Sequence, residues 1–499
     1  MNWKQRFTFM GLGLGLAIGQ APFGLSLGYF LILPFLAFAT TQAPSPRIGL
    51  AIGWWTGLGY FALTLSWIVE PFFVKPEVHG WMAPFALLFM AGGLALFWGM
   101  AFYLSVRWFT CAKKRIIGLA ILWAFFEYLR ATVLTGFPWG HLSYAWLGTP
   151  FIQLVSVFGI HGTGLILMLV AFLPALFGPR MFVGAAYGAA VLAVIAGWGV
   201  WRMPALDNQG LGETVVRIVQ PNAPQHLKWR RDMRDVFYRR QLGYTAAKTA
   251  RRPDIVIWPE TALPFVMQDE LPALKEISNA TGPETSYISG IVRNQGDAHF
   301  NSLIYVDPRG GMNAIYDKHH LVPFGEYFPM ARFFERFGLA GLTEQAGSFQ
   351  GGAGPQLIAG RNVPDFLALI CYEAIFPSYA HSPGKRPKWL VHITNDAWFG
   401  TISGPYQHLA QSRVRAIEQG LPMARSANTG ISAMIDAYGR VVDFLPLQQQ
   451  GYIDVALPAP AGKTLYSRIG DYGFLGILLL VVLFLGTMRS KTPILRESD

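Results

Sequence analysis

Charged residues are scarce in this chain, 14% of 499 positions against 52% hydrophobic ones, and mean hydropathy is +0.33. That balance points to a membrane. The formal charge of +11 comes with no long Lys/Arg run, so nucleic acid is set aside as a partner and anionic lipid explains the excess better. Only two cysteines occur, Cys111 and Cys371, which sets no disulfide framework. The glycine-rich stretch 346–355 has no Walker lysine and no following helix start, so it is a loop and not a phosphate cradle. His319 and His320 are adjacent, poor spacing for two ligands on one face of a metal. No metal and no cofactor are expected. Internal repeats and extended low-complexity tracts are missing too.

What is present is a series of apolar stretches. Seven precede residue 202, at about 7–22, 24–40, 48–69, 81–106, 115–130, 151–177 and 181–201, and an eighth runs from Tyr472 to Met488. Several approach the ~20 residues a helix needs to cross the hydrocarbon core. A helix satisfies its own backbone in lipid, so a polytopic helical bundle is expected. The basic start and first apolar run resemble a signal peptide, but the apolar character continues without a small-residue cleavage site, so a retained first helix is expected. Lys4, Arg6, Arg47, Arg107, Lys113, Lys114, Arg115, Arg180, Arg489, Lys491 and Arg496 all fall on one side of an eight-span arrangement. By the positive-inside tendency both termini are cytoplasmic and the long segment between spans seven and eight is exported.

That segment, 203–470, has a different texture. Short β-rich runs at 214–219, 254–258, 286–292, 301–306, 366–371, 389–393 and 431–436 alternate with helical or loop stretches, including helices expected over 230–250 and 404–419. Strands alternating with helices predict a compact α/β domain. The expected division is therefore 1–202 as the transmembrane bundle, 203–470 as the exported domain, and 471–499 as the last span and tail.

Three ionisable residues sit at or near the ends of apolar runs in this domain: Glu260 after Ile255-Val-Ile-Trp-Pro, Lys318 after Tyr316-Asp, and Cys371 after Phe366-Leu-Ala-Leu-Ile. Delivered to one sheet edge, a carboxylate, an amine and a thiol supply a base, an oxyanion stabiliser and a nucleophile, the parts of covalent acyl transfer. Trp258 and Pro259 suggest a dehydrated setting that raises the proton affinity of Glu260. Lys318 is expected to bias Cys371 toward thiolate. Each residue alone has a plainer reading: a packing cysteine, a loop-capping glutamate, a solvated lysine. Their joint placement in the order Glu, Lys, Cys favours chemistry. Glu127 and Arg130, three apart on one helix face, pair either for function or for packing.

Trp258-Pro-Glu260, the Lys318–Glu326 segment and Cys371-Tyr-Glu373 resemble the motifs of the nitrilase, or carbon–nitrogen hydrolase, superfamily. More narrowly, the chain resembles the bacterial apolipoprotein N-acyltransferase family. Gly136-Phe-Pro-Trp-Gly140, Gln220–Trp229, Leu321–Pro329, Asn395–Gly400 and Arg425–Gly430 extend that likeness over essentially the whole chain. The resemblance implies an αββα sandwich with a Glu–Lys–Cys triad, inserted in the periplasm between the seventh and eighth of eight membrane helices. It implies Glu260 as general base, Lys318 as stabiliser of the intermediate, Cys371 as nucleophile, and Glu326 as the second glutamate that holds the lysine. Trp229, Tyr372, Glu373, Trp398 and Phe399 match positions that line the site or its lids.

The activity so implied is transfer of the sn-1 acyl chain of a phospholipid such as phosphatidylethanolamine to the N-terminal amine of an S-diacylglyceryl-cysteine lipoprotein. It would proceed ping-pong through a thioester, in the bacterial inner membrane, with the enzyme as a monomer. Aromatic loops 327–345 and 397–407, with Phe328, Phe333, Phe334, Phe337, Trp398 and Phe399, are expected to act as lids that limit water. The alternatives are a membrane-tethered amidase with the same triad and a transporter or scaffold with an inactive domain.

Overall fold

The computed structural model describes residues 1–205, 211–264, 271–329, 349–381 and 384–487. The expected lid residues Phe333, Phe334 and Phe337, the end of the last apolar stretch at Met488, and the basic residues Arg489, Lys491 and Arg496 lie outside the described residues. The chain divides into two compact units. One comprises Met1–Ser66, Phe85–Val200 and the chain from Ile469 onward; the other comprises Trp67–Pro84 and Trp201–Arg468.

The first unit is helical. Its helices are Trp3–Ala17, Tyr29–Thr41, Pro46–Thr64, Ala83–Trp108, Ala112–Thr132, Val155–Ala171, Met181–Arg202 and Tyr472–Thr487. Among the described residues, three helical runs are long and apolar enough to cross a membrane: Pro76–Trp108, Pro150–Ala171 and Leu173–Arg202. Pro46–Thr64 joins them if counted together with Ser66–Phe73, bent by 46°. In the interior of this unit the Glu127–Arg130 pair forms, Nη2 to Oε2 at 2.8 Å. Trp98 Nε1 donates to Glu127 Oε1 at 2.8 Å, and Arg130 Nη1 donates to the carbonyl oxygens of Phe137 and Trp139. The pair thus ties the Gly136–Gly140 loop to its helix, and hydrogen bonds on all sides offset the cost of burying two charges.

The second unit is a sandwich. Its strands are β1 Leu211–Gln220, β2 Ile255–Ile257, β3 Ser286–Gln295, β4 Ala298–Val306, β5 Met312–Asp317, β6 Leu357–Ile358, β7 Phe366–Ile370, β8 Trp389–Thr394, β9 Met423–Ala427, β10 Ser432–Ile435, β11 Val441–Leu445 and β12 Gly451–Pro458. Among the described residues they form two six-stranded mixed sheets, ordered β12-β1-β2-β3-β4-β5 and β11-β10-β9-β8-β7-β6. The interior strands β2 and β7 are buried along their whole length, which is why they read as continuous apolar runs instead of alternating ones. The sheets meet face to face where Ser426 Oγ on β9 donates to the Val219 carbonyl on β1 at 2.9 Å.

Helices cover the outer faces. Tyr238, Leu274 and Ile277, from Arg231–Thr245 and Leu271–Thr281, pack with Val219, Val256 and Trp258 of the first sheet. Ala416 of Gly404–Gln419 packs on Leu367, Leu369 and Leu390 of the second. The result is the αββα layering. The Arg231–Thr245 helix is shorter than the 230–250 expected from sequence. Arg217, buried in β1, sends Nη1 to the carbonyl oxygens of Tyr244, Thr245 and Ala247 at 2.9, 2.9 and 2.8 Å. A distant guanidinium therefore satisfies the helix end.

Candidate active site

Strand directions decide where the ionisable residues arrive. β2 and β3 are parallel, and two antiparallel pairings bring β5 into the same direction. β7, β8 and β9 are likewise parallel. Glu260 follows β2, Lys318 directly follows β5, Cys371 directly follows β7 and Asn395 directly follows β8. All four lie at or just beyond C-terminal strand ends, the usual location of sites in sheets with parallel strands.

The Pro259–Thr261 loop lies on β3 at Gly290, where an added Cβ would come within 2.4 Å of the Thr261 nitrogen. Glycine is required there so that the loop can approach. Glu260 is buried; Oε1 accepts from Asn301 Nδ2 at 2.7 Å and Oε2 from the Asn395 N–H at 2.8 Å. Lys318 is also buried, and its N–H donates to the Asn301 carbonyl at 2.8 Å. Its Nζ is 2.9 Å from Glu326 Oε1, 2.8 Å from Oε2, and 3.6 Å from Glu260 Oε1. Asn301 Nδ2 reaches Glu326 Oε1 as well, at 3.0 Å. One amide and one ammonium thus bridge two carboxylates.

Cys371 is buried, and its backbone has φ +50°. A non-glycine residue held in that left-handed region costs roughly 1–3 kcal/mol, a strain that clusters at functional sites. Glu260 and Lys318 both act electrostatically on its thiol. Glu373, expected among the lining residues, is instead fully buried. Its carboxylate accepts from the Tyr316 hydroxyl at 2.8 Å and from the N–H groups of His319, His320 and Ile370 at 2.7, 3.3 and 2.7 Å. It joins the loop after Lys318 to the turn that carries Cys371. It is a positioning group with its acceptors filled by the protein.

The other expected site residues divide by exposure. Tyr372 is buried, stacked with His320 at 5.6 Å. Trp229 and Trp398 are 48% and 38% exposed, open to a ligand. Phe399 is buried against Trp67 at 4.9 Å. His319 Nδ1 meets the Gly352 carbonyl and His320 Nδ1 the Tyr379 hydroxyl, each at 2.9 Å. Among the described residues no group of three or more His, Cys, Asp or Glu side chains is arranged to hold a metal ion.

Known proteins resemble the chain along nearly its whole length. The family described as apolipoprotein N-acyltransferase N-terminal domain matches residues 12–173, and carbon-nitrogen hydrolase matches residues 215–464. The apolipoprotein N-acyltransferase of Brucella melitensis is 36% identical over 483 residues, covering 92% of this chain and 91% of that protein. That of Caulobacter vibrioides is 38% identical over 500 residues, covering 96% and 93%. The chain belongs to the apolipoprotein N-acyltransferase family. Among solved structures, a CN-hydrolase superfamily protein from Xanthomonas campestris matches at 19% identity and TM-score 0.34, over 48% of this chain and 90% of that one.

In this N-acyltransferase family member Lys318 pulls the Cys371 thiol toward thiolate, as expected, but is outweighed. Burial pushes the Cys371 thiol up, the Glu260 charge pushes it further, and the opposing pull of Lys318 does not compensate. The resting group is a neutral thiol, so a base is needed to remove its proton. For Lys318 itself, burial acts downward, but the carboxylates of Glu326 and Glu260 outweigh it and hold the ammonium above its ordinary value. Cys111 is the opposite case to Cys371. It is exposed, and the backbone N–H groups of Lys114 and Lys113 draw its thiol pKa down. Neutral iodoacetamide at pH 7 should therefore label Cys111 before Cys371, and the Cys371 rate should climb as pH rises into the alkaline range. Peptide mapping of a labelling time course reads both, and faster labelling of Cys371 than of Cys111 at pH 7 would contradict a thiol raised by burial.

Two groups in the site carry little signal in the sequence. Asn301 is one of three polar residues, with His299 and Ser302, in the first half of β4, and nothing in that pattern singles it out. Lys228 lies in the conspicuous Gln220–Trp229 stretch, but nothing in its local pattern gives it a role. Burial pushes its amine down to about 8, against the opposing pull of the Glu260 charge. Its Nζ donates to the Glu260 carbonyl at 3.1 Å and to Thr261 Oγ1 at 2.7 Å. Thr261 has φ +46°, so Lys228 fastens the bent loop that carries Glu260.

Proposed function

We propose that this chain transfers the sn-1 acyl chain of a membrane phospholipid to the N-terminal amine of S-diacylglyceryl-cysteine on lipoproteins, ping-pong, through a thioester on Cys371. The observation that carries the reading is the buried Glu260–Asn301–Lys318–Glu326 network beside Cys371, in a chain of the apolipoprotein N-acyltransferase family.

In the first half-reaction Glu260 takes the thiol proton as Sγ attacks the ester carbonyl. The tetrahedral oxyanion forms against the Lys318 ammonium, which Glu326 holds in place. Collapse breaks the carbon–oxygen bond, the proton on Glu260 passes to the departing oxygen, and lysophospholipid leaves. In the second half the lipoprotein amine attacks the thioester, Glu260 takes the amine proton, the carbon–sulfur bond breaks, and the proton returns to sulfur. The product is an amide and the enzyme is restored. Trp229, Tyr372, Trp398 and Phe399 line the approach for acyl chains and limit water.

Both substrates are lipid-anchored, so a site fixed over the outer leaflet turns a search into a matter of positioning. The catalytic unit is accordingly taken as periplasmic, between spans seven and eight of eight, with cytoplasmic termini in the inner membrane. The basic residues Lys4, Arg6, Arg47, Arg107, Lys113 to Arg115 and Arg180 support that orientation. The test is to incubate purified enzyme with phospholipid and a diacylated lipopeptide. Triacylated product and lysophospholipid in equal amounts are expected. Ammonia release from small amides without acyl transfer would overturn the assignment in favour of an amidase.

A further inference from the structure

The stretches Asn395–Gly400 and Arg425–Gly430 stand out in the sequence, yet their contribution to the Glu260–Lys318–Cys371 set is slight: the Asn395 N–H on Glu260 and the charge of Asp396 acting on the thiol. Their charges are buried behind the nucleophile. Asp396 is fully enclosed; Oδ1 lies 2.8 Å from His408 Nδ1 and accepts from Thr394 Oγ1 at 2.9 Å, while Oδ2 accepts from Arg425 Nη2 at 2.5 Å. Arg425 Nη1 reaches His392 Nδ1 at 2.9 Å and Ser412 Oγ at 3.0 Å. From these anchors the two imidazoles converge. His392 Nε2 is 3.1 Å and His408 Nε2 is 3.2 Å from the same atom, the carbonyl oxygen of Cys371.

The proton placement on His392 follows from its neighbours. A guanidinium only donates, so Nδ1 facing Arg425 must be the bare nitrogen, and Nε2 carries the hydrogen that the carbonyl accepts. Burial and the Arg425 charge hold this imidazole well below its ordinary pKa, in keeping with that neutral form. His408 sits between two acceptors, the Asp396 carboxylate at Nδ1 and the Cys371 carbonyl at Nε2, with Arg425 Nη2 3.2 Å from Nδ1; burial and the Arg425 charge hold it below its ordinary pKa, so the neutral ring has one hydrogen to share between them. The residue so gripped has φ +50°, and on its other side the Ile370 N–H is held by Glu373 at 2.7 Å. Burying an aspartate, an arginine and two histidines is costly unless the network specifies something. What it ends on is the backbone of one cysteine.

We propose that Asp396, Arg425 and His392 form a clamp in which the His392 Nε2–H holds the Cys371 carbonyl, and with it the left-handed turn that aims Sγ at Glu260 and Lys318, while His408 packs against the same oxygen. His392 is a positioning residue of the acyl transfer. The proposal rests on the reading of Cys371 as the nucleophile.

The test compares two amide replacements at His392 in full-length protein carrying Cys111→Ala. In His392→Gln the side-chain amide reaches the Nε2 position and keeps a donor on the carbonyl. In His392→Asn it ends near Nδ1 and cannot. The asparagine variant should form the Cys371 acyl-enzyme about tenfold to a hundredfold more slowly, at unchanged KM for phospholipid. The glutamine variant should recover most of that loss. Alkylation of Cys371 by iodoacetamide, which needs no lipid, should follow the same order. A glutamine variant as slow as the asparagine one, or an asparagine variant with a normal acylation rate, would overturn the clamp. A Cys111→Ala protein that is alkylated at Cys371 but never acylated by phospholipid would instead refute the acyl-transfer reading and leave the clamp standing on the alkylation series.

Discussion

Cys371→Ser is expected to lower acyl transfer by about 10⁴-fold or more, the scale seen when a covalent nucleophile is removed. The sulfur sits at the end of β7 with the Glu260 carboxylate acting on it. A hydroxyl in the same place is a far weaker acid, and a carboxylate base cannot ionise it to a useful extent. The replacement alters one buried atom, so folding should survive, which a thermal melt in detergent verifies. Transfer from phospholipid to lipopeptide gives the activity. A Cys371→Ser enzyme with normal transfer would rule out the thioester, whatever the fate of the other residues.

Lys318→Met is expected to act on stability and rate together. It removes the buried cation between Glu260 and Glu326, leaving two carboxylates tied to one Asn301 amide. Breaking a buried pair in this way costs about 3–5 kcal/mol, because the remaining charge is uncompensated. Loss of an oxyanion donor should slow acyl-enzyme formation by roughly a further 10²–10³-fold, the effect of deleting such a donor elsewhere. The two effects separate in the double variant with Glu326→Gln. Taking away one of the facing carboxylates should return part of the melting temperature and none of the rate. If the double variant recovered rate as well, Lys318 would be a structural counter-ion only.

Much of this site is legible in the sequence because its strands announce themselves. β2 and β7 are short, wholly buried and rich in Ile, Val, Leu and Phe, and a polar residue just past such a run is conspicuous. The helix Gly404–Gln419 is legible for a similar reason, with proline at its start and glycine beyond its end. β9 is not legible. Met423-Ala-Arg-Ser-Ala427 is buried throughout yet carries Arg425 and small residues, since the partners of Arg425 are Asp396 and His392 and not an apolar layer. β11 escapes notice because it is half exposed and breaks the apolar pattern with Asp443. The roles of Glu373 and Arg217 depend on partners far along the chain, such as His319 and Asp454, and local pattern cannot reveal those. For the thiol, the nearby lysine and carboxylate are both foreseeable from the motif, but the burial that decides the balance is not.

The most direct measurement is the intact mass of the purified enzyme after exposure to phospholipid alone, followed by addition of a diacylated lipopeptide. One acyl group should appear on Cys371 in the absence of acceptor and disappear on its addition as the triacylated peptide forms. Acyl transfer that proceeds without any Cys371 adduct, or an adduct that the lipopeptide never discharges, would contradict the account.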